Sequence, residues 1–189
     1  MCAAMQMSLS SLRASVTEGR SENVRYRQDQ LQALHTGFRE NVDATTEAIA
    51  IDSGCTAEEA DVEFYLGMDA LRKAYESLNF ESSLQQEYQV AHGKDNVERR
   101  VAMGLVAIRP SQHSRFYSTL APLVAALAAG NCILLEVNVF FPLEKIGTDM
   151  LIARYIARDI FAQCRCPTCK GPQERLRSRH ISNFCLTPR

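Results

Sequence analysis

Between Gly104 and Val137 the chain reads as an apolar strand, a helix of small and branched apolar residues, and a second apolar strand. Gly104 to Ile108 is the first strand, Thr119 to Ala129 the Ala- and Leu-rich helix, and Cys132 to Val137 the second strand. A strand, a crossover helix and a strand form the unit of a parallel sheet, because parallel neighbours cannot be joined by a tight hairpin. Gly130-Asn131 stops the helix and turns the chain into the second strand. A further helix is expected over Leu143 to Phe161, where Ile146, Met150, Ile152, Ala153, Ile156 and Ala157 form a wide apolar face. These features predict an α/β fold.

The first half has the helical period. From Asn23 to Ile51, apolar Leu31, Leu34, Phe38, Val42 and Ile49 recur near every 3.6 residues, and Asp52-Ser53-Gly54 ends that helix. Thr56 with Glu59 three residues later is a capping box opening the next helix. That helix is expected to turn Val62, Leu66, Leu71, Tyr75 and Leu78 to one side. Gln86 to Val90 and Val97 to Val101 then read as short strands around His92-Gly93-Lys94-Asp95, a hairpin over residues 86–103. The division is therefore a helical segment over 1–85, the hairpin, a sheet over 104–163, and a tail over 164–189.

The tail differs in composition. After residue 163 stand four of the seven cysteines, six Lys and Arg, and one acid, for a net charge of +5 against −6 before it. Cys164, Cys166, Cys169, His180 and Cys185 could supply thiolate and imidazole ligands to zinc, but a second Cys-x-x-Cys at the proper spacing is missing. The other reading is a stretch foreign to the body, and no metal site is assigned. The net charge of −1 gives no field for gathering nucleic acid. No apolar run reaches the roughly 18 residues of a membrane span. An odd cysteine count without a disulfide pattern, and a start lacking a secretion signal, point to a reducing, cytoplasmic setting.

Leu12-Arg13-Ala14-Ser15, Arg27-x-x-Gln30-Leu31-x-x-Leu34, Glu40-Asn41, and Ala121-Pro122-Leu123-Val124 through Ala128-Ala129-Gly130-Asn131 resemble the aldehyde dehydrogenase family in order and spacing. The likeness is to the branch handling fatty and aromatic aldehydes. It runs from about Leu9 to Phe161 and covers the N-terminal third of such enzymes. It implies a doubly wound, Rossmann-type sheet, truncated here, and an oxidation of aldehyde to acid with NAD or NADP. A cysteine after Gly-Gln serves as nucleophile in that family, and a glutamate as base. None of the seven cysteines here follows Gly-Gln.

Two positions of the family pattern are altered. The resemblance places Gln112, His113, Ser114 and Arg115 on a run whose Asn amide stabilises the oxyanion, with His113 at the Asn position. An imidazole N–H can donate one hydrogen bond there; the other reading is an ordinary loop residue. Arg109 and Arg115 flank the loop and could attract an anion, although surface arginines are common. The family's Lys-Pro-Ser-Glu, which binds the adenosine ribose, is replaced by Glu136-Val137-Asn138-Val139. Glu136 can accept from ribose hydroxyls, as acids at strand ends do in dinucleotide folds, or simply be solvated. The resemblance thus implies an inactive chain that binds neither cofactor well. Alternatively, it implies a non-catalytic protein docking on an intact aldehyde dehydrogenase subunit. Cys55 and Cys132 read as packed thiols, and His35 as solvated.

Overall fold

The computed structural model describes residues 3–94, 101–111, 113–137 and 161–165. Five helices come first: α1 (Ala3–Thr17), α2 (Val24–Glu40), α3 (Val42–Ser53), α4 (Ala57–Glu76) and α5 (Phe80–Ala91). Strand β1 (Leu105–Ile108), helix α6 (Arg115–Ala128), strand β2 (Cys132–Val137) and strand β3 (Phe161–Arg165) follow. The three strands form one parallel sheet in the order β1-β2-β3, with Leu105 beside Cys132 and Ile133 beside Phe161. The strand–helix–strand reading of the sequence is thus the observed β1–α6–β2 unit.

Both faces of the sheet are covered. Cys132, Ile133, Leu134 and Leu135 are all buried, and successive strand residues point to opposite faces. Helix α1 packs along all three strands and α6 along β1 and β2, while α2, α3 and α4 cover the far side of α6. Parallel strands need such double cover, which is why their sequence is continuously apolar.

The junction at the end of α6 is closely specified. Gly130, at φ +84°, and Asn131 donate their N–H groups to the carbonyls of Leu127 and Ala126, each at 3.0 Å. This pair of bonds satisfies the last carbonyls of the helix. A Cβ on Gly130 would meet the Ser21 carbonyl at 3.2 Å, so both conformation and space require glycine. Buried Asn131 accepts from the Gly104 N–H at 3.0 Å, and its Nδ2 donates to Ala126 at 3.3 Å. The Arg27 guanidinium donates to the Ala128 carbonyl, and Ser21 Oγ donates to Gly130 O at 2.6 Å. Two segments that carried the family resemblance, about a hundred residues apart, therefore meet here.

Several expectations are corrected. The single helix over Asn23–Ile51 is two, broken at Asn41 (φ −124°, ψ 37°), whose side-chain amide donates to Gly37 O at 2.8 Å. Backbone capping by Asn outcompetes helix continuation there. The capping box of Thr56 and Glu59 is present as read, but of the five apolar residues expected on one side only Leu71 and Leu78 pack against the core. Ala60, Glu63, Gly67 and Leu71 are buried, while Val62, Leu66 and Tyr75 are exposed. The reason is close approach: a Cβ on Gly67 would sit 2.5 Å from Phe116 of α6. Gly67 marks the closest approach, and Phe64 and Leu71 pack inward beside it.

The hairpin is also corrected. Gln86 to Val90 lies within α5, which opens with Asn79 accepting from the Ser82 N–H at 3.1 Å and shows Phe80, Leu84 and Tyr88 at four-residue spacing. The Gln-Gln-Glu run favours helix over strand. Residues 95–100 of the second arm lie outside the described residues, and Val101 is in no strand. The helix expected over Leu143–Phe161 lies outside them too, except Phe161, which begins β3. Strand β3 crosses the boundary drawn between 163 and 164, so Cys164 and Arg165 belong to the sheet. The remaining tail ligand candidates lie outside the described residues.

Candidate functional site

In a parallel sheet all carboxyl ends of the strands share one edge, and ligands of open α/β folds bind there. Two of the sequence candidates lie at that edge. His113 stands in the loop between β1 and α6, and Glu136 is next to last in β2, beside Cys164 of β3 in register. The last paired residues of β1 and β2 are Ile108 and Leu135, so Arg109 and Glu136 follow them side by side in the sequence register. The fold thus brings together His113, Arg109 and Glu136 at one end of the sheet. Gln112 lies outside the described residues.

The loop is built from short-range hydrogen bonds. The Ser111 N–H donates to Ser118 Oγ at 3.2 Å, the His113 N–H to Ser111 Oγ at 3.2 Å, and Ser118 Oγ to Arg115 O at 3.2 Å. Ser114, which precedes α6, is left-handed at φ 47° and ψ 54°, a conformation that disfavours a side chain. Its own side chain does not cap the helix. Glu63 from α4 does so instead: its buried carboxylate accepts the Tyr117 N–H at 3.0 Å. Phe116, the preceding residue, is fully enclosed between Phe38 (edge-to-face, 5.3 Å between centroids) and Phe64 (stacked, 5.8 Å). The loop's outgoing end is therefore fixed by a carboxylate and an aromatic cluster, and His113 itself is exposed.

Charge around the loop is mixed. Burial pushes the Asp52 carboxyl above the usual carboxylate range, and the positive charge of Arg115 offsets part of that rise. At the other end of α6, burial lowers Arg27, and Glu22 offsets it in part. Sequence reasoning missed Glu63 and Asp52; the clue to Glu63 was an acid placed among Ala60 and Gly67 on one side of α4.

Of the cysteines in the described residues, Cys164 of β3 stands at this edge, beside Glu136 in register, whereas Cys132 and Cys55 do not. Cys132 is the first residue of β2, and its buried Sγ lies 3.9 Å from Ser21 Oγ. At ~3.3 Å per strand residue it is about 16 Å from the carboxyl end. Cys55 is half-buried before α4. Nor do the described residues fit a dinucleotide's pyrophosphate. The N-terminus of the crossover helix attracts anions, but in α6 that place is taken by the chain's own Glu63. Among the described residues no cluster of His, Cys, Asp or Glu could hold a metal, and no helix is long and apolar enough to cross a membrane.

Relatives match this chain in sequence, and solved structures share its fold. The chain is 30% identical over 169 residues to aldehyde dehydrogenase family 3 member B1 of Bos taurus, and 30% over 174 residues to that of Mus musculus. Each alignment covers 88% of this chain and 35% of the relative, so the chain spans about a third of their length. Among solved structures, aldehyde dehydrogenase C of Pseudomonas syringae, in a variant complexed with NAD+ and octanal, superposes with a TM-score of 0.67 at 19% identity. That superposition covers 86% of this chain and 33% of the other. Aldehyde dehydrogenase 21 of Physcomitrella patens, in complex with succinate, superposes at 0.66 and 12% identity, covering 87% and 35%. The aldehyde dehydrogenase family pattern itself matches residues 7–146, which takes in all but the first turn of α1, the later described helices, β1 and β2. The order of elements, the Arg27 and Gly130-Asn131 junction and this match agree: the chain belongs to the aldehyde dehydrogenase family.

Proposed function

We propose that these residues form the opening of a doubly wound, Rossmann-type domain of an NAD(P)-dependent aldehyde oxidoreductase, and that alone they neither oxidise aldehydes nor hold the cofactor tightly. The observation that carries the reading is the carboxyl edge of the sheet. Glu136 and the His113 loop lie along it, yet Glu63 occupies the anion-attracting end of α6, buried Cys132 lies at the opposite edge, and Cys164, which stands beside Glu136 in register, follows Ala162-Gln163 rather than Gly-Gln. The cofactor, when bound to an intact member, accepts hydride. The residues here contribute position: Glu136 for a ribose hydroxyl, and the His113 imidazole as a donor where the family has an amide. A thiol oxidation route needs an accessible, activated thiolate and a base, and no cysteine of this sequence follows Gly-Gln.

The test uses the purified chain. Calorimetry with NAD+ and with NADP+ should show no binding tighter than about millimolar, a standard free energy near −4 kcal/mol. Octanal and benzaldehyde should give no aldehyde-dependent NADH or NADPH. Micromolar binding of either nucleotide would overturn the cofactor reading. Turnover that co-purifies with the chain and is abolished by Cys55→Ser, Cys132→Ser or Cys164→Ser would overturn the inactive one.

A further inference from the structure

Strand β1 is an outer strand of the sheet: among the described residues it pairs with β2 and with no other strand. One bond fixes which way its backbone groups point. The Cys132 N–H donates to Gly104 O at 2.8 Å, and Cys132 stands opposite Leu105. In a parallel ladder the residue opposite such a partner turns its own N–H and C=O to the other side. Leu105 and Ala107 therefore aim theirs away from β2, while Val106 and Ile108 aim theirs toward it. This outward edge is uncovered. Ala107 is exposed, and Val101 and Met103 just before the strand are 65% and 85% exposed. Edges that stay in solvent are ordinarily blunted by a charge, a proline or a bulge. Val101 to Ile108 holds neither a charge nor a proline, and the register of β1 with β2 is unbroken.

We propose that the outward edge of β1 takes a parallel strand from a second polypeptide, one that carries the remaining part of an aldehyde dehydrogenase fold. Both ladders of the sheet are parallel and both of its faces are packed. A parallel strand added to such a sheet must bring its own crossover helix to cover it. That calls for a folded α/β partner rather than an isolated extended peptide. The order β1-β2-β3 is one half of a doubly wound sheet, in which the first strand lies at the centre beside the fourth. This chain matches 35% of the length of its Bos taurus relative, and the edge of β1 is the place where the other half of such a sheet joins. The inference rests on the doubly wound reading of the proposed function.

Co-expression of the tagged full chain with the part of the Bos taurus relative outside the aligned third tests it. A one-to-one complex is expected, with the partner soluble only when the chain is present. Ala107→Pro removes an outward N–H and no bond to β2, a place where an edge strand tolerates proline. It should weaken the complex at least tenfold and leave the circular dichroism and urea midpoint of the chain near those of the original. Ala107→Val keeps the N–H and should bind as the original does. In the chain alone, hydrogen exchange should be fast at Ala107 and slow at Val106 and Ile108. No complex, a partner that stays insoluble beside the chain, or a complex indifferent to Ala107→Pro overturns the proposal. So does slow exchange at Ala107 in the chain alone, or pairing of two copies through this edge in place of the partner. Failure of the cofactor and activity readings shows separately, as nucleotide binding or turnover by the chain alone.

Discussion

The Glu63 carboxylate accepts the Tyr117 backbone N–H at 3.0 Å, tying α4 to the first turn of α6 across 54 positions of sequence. The bond supplies the cap that Ser114, held left-handed, does not provide. Removing the carboxylate leaves a helix-end donor without its partner. Glu63→Ala should therefore cost about 1–3 kcal/mol of stability, and Glu63→Gln clearly less because its amide oxygen can still accept. Urea unfolding followed by circular dichroism measures both. Equal losses in the two variants would show that the carboxylate's charge, not its acceptor role, is what matters.

Gly67 sets two preferences against each other. In a helix interior, Gly→Ala is favourable by about 1 kcal/mol on propensity. A Cβ there would stand 2.5 Å from Phe116 Cε1 and 3.1 Å from Leu120 Cδ2. Phe116 is enclosed and cannot swing away, so overpacking of about 1–3 kcal/mol should win. Gly67→Ala is expected to lower the urea midpoint, and Phe116→Leu should reduce that penalty when combined with it. An increase in midpoint for the single variant would mean α4 and α6 can separate at little cost.

Asn131 joins α6 to β1 by one accepted and one donated bond. Asn131→Ala leaves the Gly104 N–H without this partner in a half-buried site and should cost about 2–3 kcal/mol. Gly130→Ala should be comparably harmful, through its positive φ and the nearby Ser21 carbonyl. Hydrogen exchange should show Cys132, whose N–H donates to Gly104 O at 2.8 Å, losing protection first. Loss confined to α1 instead would place the weak point elsewhere.

Asp52 gives a pH dependence of defined sign. Its folded-state pKa is raised by burial, only partly offset by Arg115. The folded chain then binds more protons than the unfolded chain between the two pKa values. The contribution of Asp52 is complete below the ordinary carboxylate value of about 4 and is lost as pH rises through the raised folded value. Asp52→Asn should accordingly gain on the original chain as pH rises across that window and be modestly more stable at pH 7. The group is half-exposed, which keeps the effect small. Urea midpoints of both proteins at successive pH values read it directly. A variant less stable at neutral pH would show attraction to Arg115 outweighing the burial.

Local signals in the sequence determined the elements whose cause is local. The Thr56–Glu59 capping box, the Gly130-Asn131 stop and the continuous apolar run Cys132–Leu135 act over a few residues, and each appears as read. The parallel α/β unit followed from them because strand, crossover helix and strand close in few ways. What tertiary structure decided was which side of a helix faces inward. Apolar size favoured Val62 and Leu66, but α4 meets α6 through the turn where Gly67 leaves room for Phe116, with Phe64 stacked on the same ring. Glu63 is inside because a backbone N–H of another helix needed an acceptor, a requirement no periodicity in α4 can reveal. Gln86–Val90 became helix rather than strand for a related reason. A strand needs a partner strand supplied from elsewhere, whereas Asn79 could start a helix using the chain's own N–H groups.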